Sequence, residues 1–263
     1  MQKTKIFISS LGINDVKLTT HNEYYLDTDD LIIYKIYLPN LIKIKSEFVM
    51  FLNASELNRA DRFHKDIDRN RFIIYRSILK IVLAAYTKLD VKNIYLDYHE
   101  NKKPYLTSHP WLHFNLSHSE DYAVIAISGK EVGIDIEYIA EDFNFTQILS
   151  DIFDYKEILN IENAIDKKHS FYTSWTRKEA ITKALGKGID DDFKYIPCLD
   201  GTHNIDSTLL KNNKNWSVYS FDFDYHYSGA VCFQDLTRIS KNLKVFTVPN
   251  TLKEFQETIP FKY

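Results

Sequence analysis

Two stretches of this chain space charged side chains in a way that could do chemistry. The first is Gly133-Ile134-Asp135-Ile136-Glu137, which alternates strictly. As a strand it turns Ile134 and Ile136 to one face, and Asp135 and Glu137 to the other. Two like charges about 4 Å apart, at an effective dielectric of roughly 20, repel by about 4 kcal/mol, and by much less in water. That face is therefore either fully solvated or neutralised by a cation. The second stretch, residues 174–188, reads Ser-Trp-Thr-Arg-Lys-Glu-Ala-Ile-Thr-Lys-Ala-Leu-Gly-Lys-Gly. It lacks Pro and is rich in strong helix formers. Trp175, Glu179 and Lys183 follow at i, i+4 and i+8, close to one helical face, and Gly186 can end the helix in the left-handed conformation. Taken alone, this is first of all an amphipathic helix whose Glu179–Lys183 pair contributes a few tenths of a kcal/mol.

The elements that must position these residues are legible by pattern. Residues 31–38 form a β-branched, aromatic strand stopped by Pro39, and residues 122–128 a continuously apolar, buried one. Residues 68–86 predict a long helix with Phe72, Tyr75, Leu79, Val82 and Leu83 inward. Its other side carries Arg69, Arg71, Arg76 and Lys80, and a solvated face is expected for Arg76 and Lys80. Residues 129–131 read as a hairpin-like junction, and the chain divides there into halves 1–129 and 130–263. Residues 143–165 give one or two helices. Residues 216–223 and 227–233 form an antiparallel pair, with one more strand at 243–248. The start, residues 1–11, reads as a strand rather than a signal peptide. The residues from Pro249 onward look like a loosely attached tail.

Composition narrows the function classes. The chain has 263 residues, 44% apolar and 26% charged, which suits a globular protein. A net charge of −3 gives no basic field for nucleic acid. No run approaches the ~20 apolar residues of a membrane helix. Cys198 and Cys232 stand far apart in no C-x-x-C, so a reducing cytoplasm is the default. With only 7 glycines there is no G-x-G-x-x-G and no P-loop, so any phosphates must be held by basic side chains or a metal.

Two further blocks precede the carboxylate strand: Lys102-Lys103-Pro104, and His113-Phe114-Asn115-Leu116-Ser117-His118-Ser119. The ordered set then runs through Gly-Ile-Asp-Ile-Glu to Trp-x-x-Lys-Glu-Ala-x-x-Lys. It resembles the surfactin-type 4′-phosphopantetheinyl transferases, with Lys102 standing where that family usually has Gly. With the basic start of the long helix, the resemblance covers residues 69–188, just under half of the chain.

The resemblance implies an α+β fold of two similar subdomains related by a pseudo-twofold, each a small, mostly antiparallel sheet packed on a long helix. It implies Mg²⁺-dependent transfer of 4′-phosphopantetheine from coenzyme A, the co-substrate, to a serine of an apo acyl or peptidyl carrier protein, with Mn²⁺ as a second usable ion. Adenosine 3′,5′-bisphosphate would leave. Asp135, Glu137 and Glu179 would hold the metal, an all-oxygen set suited to a hard cation. Glu179 would take the serine proton, and Lys183 and Lys178 would hold phosphate oxygens. Arg71, or alternatively Arg69, would reach the 3′-phosphate of the coenzyme, with His118 expected to help read it. His118 beside Ser117 would suit a phosphate, while Lys103 and Pro104 border the adenine pocket. Trp175 is expected to pack the helix. The region 143–165 borders the carrier-docking surface in that family. A cytoplasmic monomer is expected, with no nucleic acid or membrane partner. Two other readings stay open: a metal-dependent pyrophosphate hydrolase acting on coenzyme A-like nucleotides, and a non-catalytic coenzyme A-binding protein.

Overall fold

The alternating apolar stretches become two five-stranded sheets, and the two long periodic stretches become helices on their outer faces. The computed structural model describes residues 3–11, 17–18, 24–190, 192–210, 213–224, 226–235 and 243–263. The strands are β1 (Lys3–Ser10), β2 (Lys17–Leu18), β3 (Leu31–Tyr37), β4 (Asp97–Tyr98), β5 (Pro104–Tyr105), β6 (His113–Ser119), β7 (Tyr122–Ser128), β8 (Val132–Tyr138), β9 (Gly201–Asp206), β10 (Trp216–Phe223), β11 (Tyr227–Phe233) and β12 (Leu243–Thr247). The helices are α1 (Leu38–Leu41), α2 (Lys45–Phe48), α3 (Ala54–Ala60), α4 (Asp66–Thr87), α5 (Leu149–Ile152), α6 (Tyr155–Asn163), α7 (Lys167–Leu185), α8 (Ser207–Leu210) and α9 (Leu252–Thr258). The fold is α+β.

One sheet runs β2-β12-β3-β7-β6 and the other β8-β11-β10-β1-β9; β4 and β5 form a small ladder of their own. The inner pairings correspond. β12 runs parallel to β3, and β3–β7 and β7–β6 are antiparallel. Likewise β1 runs parallel to β10, and β10–β11 and β11–β8 are antiparallel. Period-2 alternation sorts the side chains into layers. Ile32, Tyr34 and Ile36 of β3 pack with Ile74, Ile78 and Ile81 of α4. Leu31 and Ile33, from the opposite face, share a core with Ile134 and Ile136 of β8. Beyond the second sheet, Ile6, Trp216 and Ala230 meet Ala180, Ile181 and Ala184 of α7. The layers are therefore helix, sheet, sheet, helix.

Three expectations are corrected. Residues 129–131 do not close a hairpin, because β7 pairs with β3 and β6 while β8 pairs with β11. The short link carries the chain from one sheet into the other. Strand β1 belongs to the second sheet and β12 to the first, so each sheet draws one strand from the other side of this link. The C-terminal residues are no loose tail. Phe255 and Ile259 are buried against Phe48 and Tyr24 in the first core, and Val91 N–H donates to the Lys262 carbonyl at 2.8 Å. Finally, Lys80 is fully buried and paired with Glu56 at 3.1 Å, and Arg76 lies 3.8 Å from the same carboxylate. Their helix face is covered by α3, where the Asn53 cap holds Glu56 in a capping box.

Candidate active site

α7 begins where the Asp166 carboxylate accepts the His169 N–H, and ends at Gly186 with φ +65°. It lies directly on β8 because Gly133 has no side chain. A Cβ there would sit 2.2 Å from the Ala180 carbonyl oxygen and 2.2 Å from the Ala184 nitrogen. Gly133, Asp135 and Glu137 share a face, so the close approach also brings the two carboxylates under Glu179 and Lys183.

Asp135 is 2% exposed. Its Oδ1 accepts from Lys183 Nζ at 2.6 Å and from Ser117 Oγ at 2.8 Å, while Lys183 Nζ also donates to Ser117 Oγ at 3.0 Å. Its Oδ2 is buried with no hydrogen-bond partner among the described residues. Glu137 accepts from Ser119 Oγ at 3.0 Å. Burial, with the Asp135 charge beside it, pushes the Glu137 carboxyl up to about 7. Burial also raises Glu179, helped by Asp135 and opposed by Lys183. Burial works against the Lys183 charge, but Asp135 and Glu179 outweigh it and hold that proton more tightly than usual. The cation demanded by the paired carboxylates is thus supplied in part by Lys183 itself.

The serines that meet these carboxylates come from the edge of the other sheet. Along β6, Asn115, Ser117 and Ser119 point one way. Asn115 Oδ1 accepts the Ile134 N–H at 2.8 Å, and Ser119 Oγ accepts the Tyr138 N–H at 3.0 Å. Side chains of one edge strand thereby satisfy backbone donors of another, and Ser117 sits at the join. Sequence reasoning missed Asn115 and Ser119, although their spacing of two from Ser117 was the signal.

The other face of β6 turns His118 into a cavity of about 690 Å³, lined also by Arg71, Tyr75, Arg76, Lys102 and Pro104. Arg71 is held by Asp68 at 3.4 Å and Glu120 at 3.1 Å. The His118 ring lies 5.4 Å from the Tyr75 ring, and burial, Arg71 and Lys183 all lower its basicity. Arg69 instead pairs with Asp61 at 2.6 Å on the surface and does not line this cavity. Lys102 takes φ +62°, a conformation for which Gly is the usual choice, so the loop keeps its turn without glycine.

Two lysines stand apart from these expectations. Lys103 Nζ donates to the Val132 carbonyl at 3.0 Å and the Ala184 carbonyl at 2.9 Å, and burial pushes it down to about 8. With Pro104 it borders a second cavity of about 700 Å³ on the other side of the loop. Lys178, expected on phosphate oxygens, is fully buried on a different face of α7, paired with Glu157 at 2.8 Å. It is brought to neither cavity. Trp175 packs as expected, its ring 5.7 Å from Phe193.

Asp135, Glu137 and Glu179 are neighbours, but among the described residues no three His, Cys, Asp or Glu side chains are gathered tightly enough to enclose a metal ion. The donor chemistry nevertheless suits a hard cation. The set is all oxygen, Asp135 Oδ2 lacks a partner among the described residues, and Glu137 is crowded by like charge.

No helix among the described residues is long and apolar enough to cross a membrane. Residues 131–233 match the family model of the 4′-phosphopantetheinyl transferase superfamily, and residues 43–130 match that of the 4′-phosphopantetheinyl transferase N-terminal region. The chain is 31% identical over 168 residues to the 4′-phosphopantetheinyl transferase HetI of a Nostoc species, covering 62% of this chain and 71% of that one. A 4′-phosphopantetheinyl transferase of Bacillus subtilis is 28% identical over 76% of this chain and 91% of its own. The transferase Sfp of Bacillus subtilis strain 168 is 26% identical over 79% and 97%. Two family models meeting at residue 130, a relative above 30% identity, and a carboxylate strand laid under the Glu179–Lys183 helix lead to one assignment: this chain belongs to the 4′-phosphopantetheinyl transferase family.

Proposed function

We propose that this enzyme transfers 4′-phosphopantetheine from coenzyme A to a serine hydroxyl of an apo acyl or peptidyl carrier protein, with a divalent cation, releasing adenosine 3′,5′-bisphosphate. The observation that carries the reading is the meeting of Asp135, Ser117 and Lys183 beside a cavity lined by Arg71 and His118. An acid-rich pole for a pyrophosphate-bound cation and a basic pole for a phosphate monoester lie on opposite faces of β6.

Asp135, Glu137 and Glu179 would hold Mg²⁺ or Mn²⁺, a fit supported by the unpartnered Asp135 Oδ2. When bound, the ion supplies charge neutralisation to the pyrophosphate. Arg71 and His118 bind the coenzyme's 3′-phosphate, Arg71 with a bidentate fork. Lys183, kept protonated by Asp135, holds a phosphate oxygen and stabilises charge on the leaving group. Glu179 takes the serine proton, and burial raises its basicity above that of a solvated glutamate. The serine oxygen then bonds to the β-phosphorus as the pyrophosphate bridge breaks.

The test is intact mass spectrometry of a panel of apo carrier proteins incubated with the enzyme, coenzyme A and Mg²⁺. A mass gain the size of phosphopantetheine is expected on at least one carrier. Release of the bisphosphate without any carrier would favour a pyrophosphate hydrolase. Coenzyme binding without turnover would favour a non-catalytic binding protein.

A further inference from the structure

We propose that Lys178 is a positioning residue for the transfer reaction, acting through Glu157, and that it makes no phosphate contact; this rests on the transferase reading above. An ammonium has three N–H donors. Those of Lys178 are taken by Glu157 Oε2 at 2.8 Å, the Ile196 carbonyl at 2.5 Å and the Lys194 carbonyl at 2.9 Å. The Phe153 ring covers the group with its centroid 5.3 Å away. Among the described residues these contacts leave Lys178, which is 0% exposed, no donor and no open face for a ligand.

The partner is equally committed. Glu157 is 3% exposed. Its Oε2 accepts the Asp154 N–H at 3.0 Å, closing the cap of α6, and its Oε1 accepts the Cys198 N–H at 3.0 Å. One buried pair therefore ties the start of α6 and the chain at residues 194–198 to a single point on α7. That point immediately precedes Glu179. Successive residues on a helix are turned by about 100°, so a bracket gripping Lys178 fixes the direction in which Glu179 projects. It also fixes Lys183, one turn on. A displacement of about 1 Å at a reacting group can cost 10²-fold in rate.

The pair differs from a phosphate ligand in how it responds to substitution. Removing one partner strands a buried charge, whereas replacing both with apolar residues of similar volume is often neutral. The test compares Lys178→Met, Glu157→Gln and the double variant Glu157→Leu/Lys178→Met. The readouts are kcat and KM for coenzyme A with an apo carrier protein, calorimetric affinity for coenzyme A in Mg²⁺, and thermal melts that give the folded fraction. Each single variant is expected to lose about 10–100-fold in kcat per folded molecule, with KM and coenzyme affinity unchanged. The double variant is expected to regain the thermal stability that the single variants lose, while kcat per folded molecule stays low because the bracket is gone.

A roughly tenfold or greater loss of coenzyme affinity in Lys178→Met that persists in the double variant would assign the residue to phosphate and overturn the proposal. Unchanged kcat per folded molecule in both single variants would reduce the pair to stability alone. A folded double variant whose kcat returns to that of the unsubstituted enzyme also overturns it, because the bracket would then be dispensable for turnover. Failure of the unsubstituted enzyme to bind coenzyme A or modify any carrier would instead overturn the transferase reading, and the positioning role with it.

Discussion

Lys183 touches both halves of the molecule: Asp135 on β8 and Ser117 on β6. Were it only a surface partner of Glu179, its loss would cost ~0.3–0.5 kcal/mol and leave turnover intact. Against a transferring phosphoryl group, Lys183→Met and Glu179→Gln should each lower kcat on the order of 10²–10³-fold. The two should differ in a Mg²⁺ titration, because only Glu179→Gln alters the carboxylate set. Excess chelator should abolish transfer in the unsubstituted enzyme, and Mg²⁺ or Mn²⁺ should restore it; full activity in chelator would remove the metal from the mechanism. Acidity gives a further check. A general base must be ionised, and burial raises the Glu179 carboxyl. Protons should compete with the cation at Glu179 and at Glu137, pushed up to about 7. At limiting Mg²⁺, transfer should therefore decline on acidification at a higher pH than an ordinary glutamate, near ~4.3, would dictate, and added Mg²⁺ should move that limb to lower pH. At the other pole, Arg71→Ala and His118→Ala should narrow the preference for coenzyme A over its analogue lacking the 3′-phosphate. Competition assays that find the preference intact would free both residues of that role.

At the scale of elements, the packing of α7 on β8 turns on one missing methyl group. Gly133→Ala places a Cβ into backbone on the helix, which no rotamer change can relieve. It should destabilise by about 1–3 kcal/mol or more, seen as a lower urea midpoint with an unchanged slope. It should also slow transfer by shifting Glu179 away from Asp135. The same junction marks how far the sequence could be read. The strict alternation at 133–137 placed both carboxylates on one face, and Gly186 announced the helix end, because both are local properties. Strands β10 and β11 were equally local, and their bounds coincide with the expected ones. The fate of Lys178 was not local. Its neighbours Glu157 and Ile196 are brought in by tertiary packing, and nothing in the spacing of the Trp-x-x-Lys-Glu motif distinguishes an inward lysine from an outward one. Arg76 and Lys80 misled for a similar reason: a basic helix face looks solvated until a capped α3 lays Glu56 across it.

For the whole molecule, the telling feature is the exchange of terminal strands between sheets. β12 pairs with β3, and α9 delivers the fully buried Phe255 to the core behind α4. Phe255→Ala should cost about 3–5 kcal/mol, a large share of the ~5–15 kcal/mol that holds a typical protein folded. Equilibrium unfolding in urea measures it, and a variant with wild-type stability would return these residues to the status of a tail. The exchange also sets a timetable for biosynthesis. A ribosome delivers β3, α4, β6 and β7 early, yet β3 keeps one backbone edge unpaired until residues 243–247 have emerged. Its sequence, Leu-Ile-Ile-Tyr-Lys-Ile-Tyr, is the sort of apolar edge that recruits strands from other chains. Every residue assigned here to chemistry is synthesised while that edge is bare. Pairing of β12 with β3, rather than translation of α7, therefore decides when a nascent chain covers that edge and stops being an aggregation hazard.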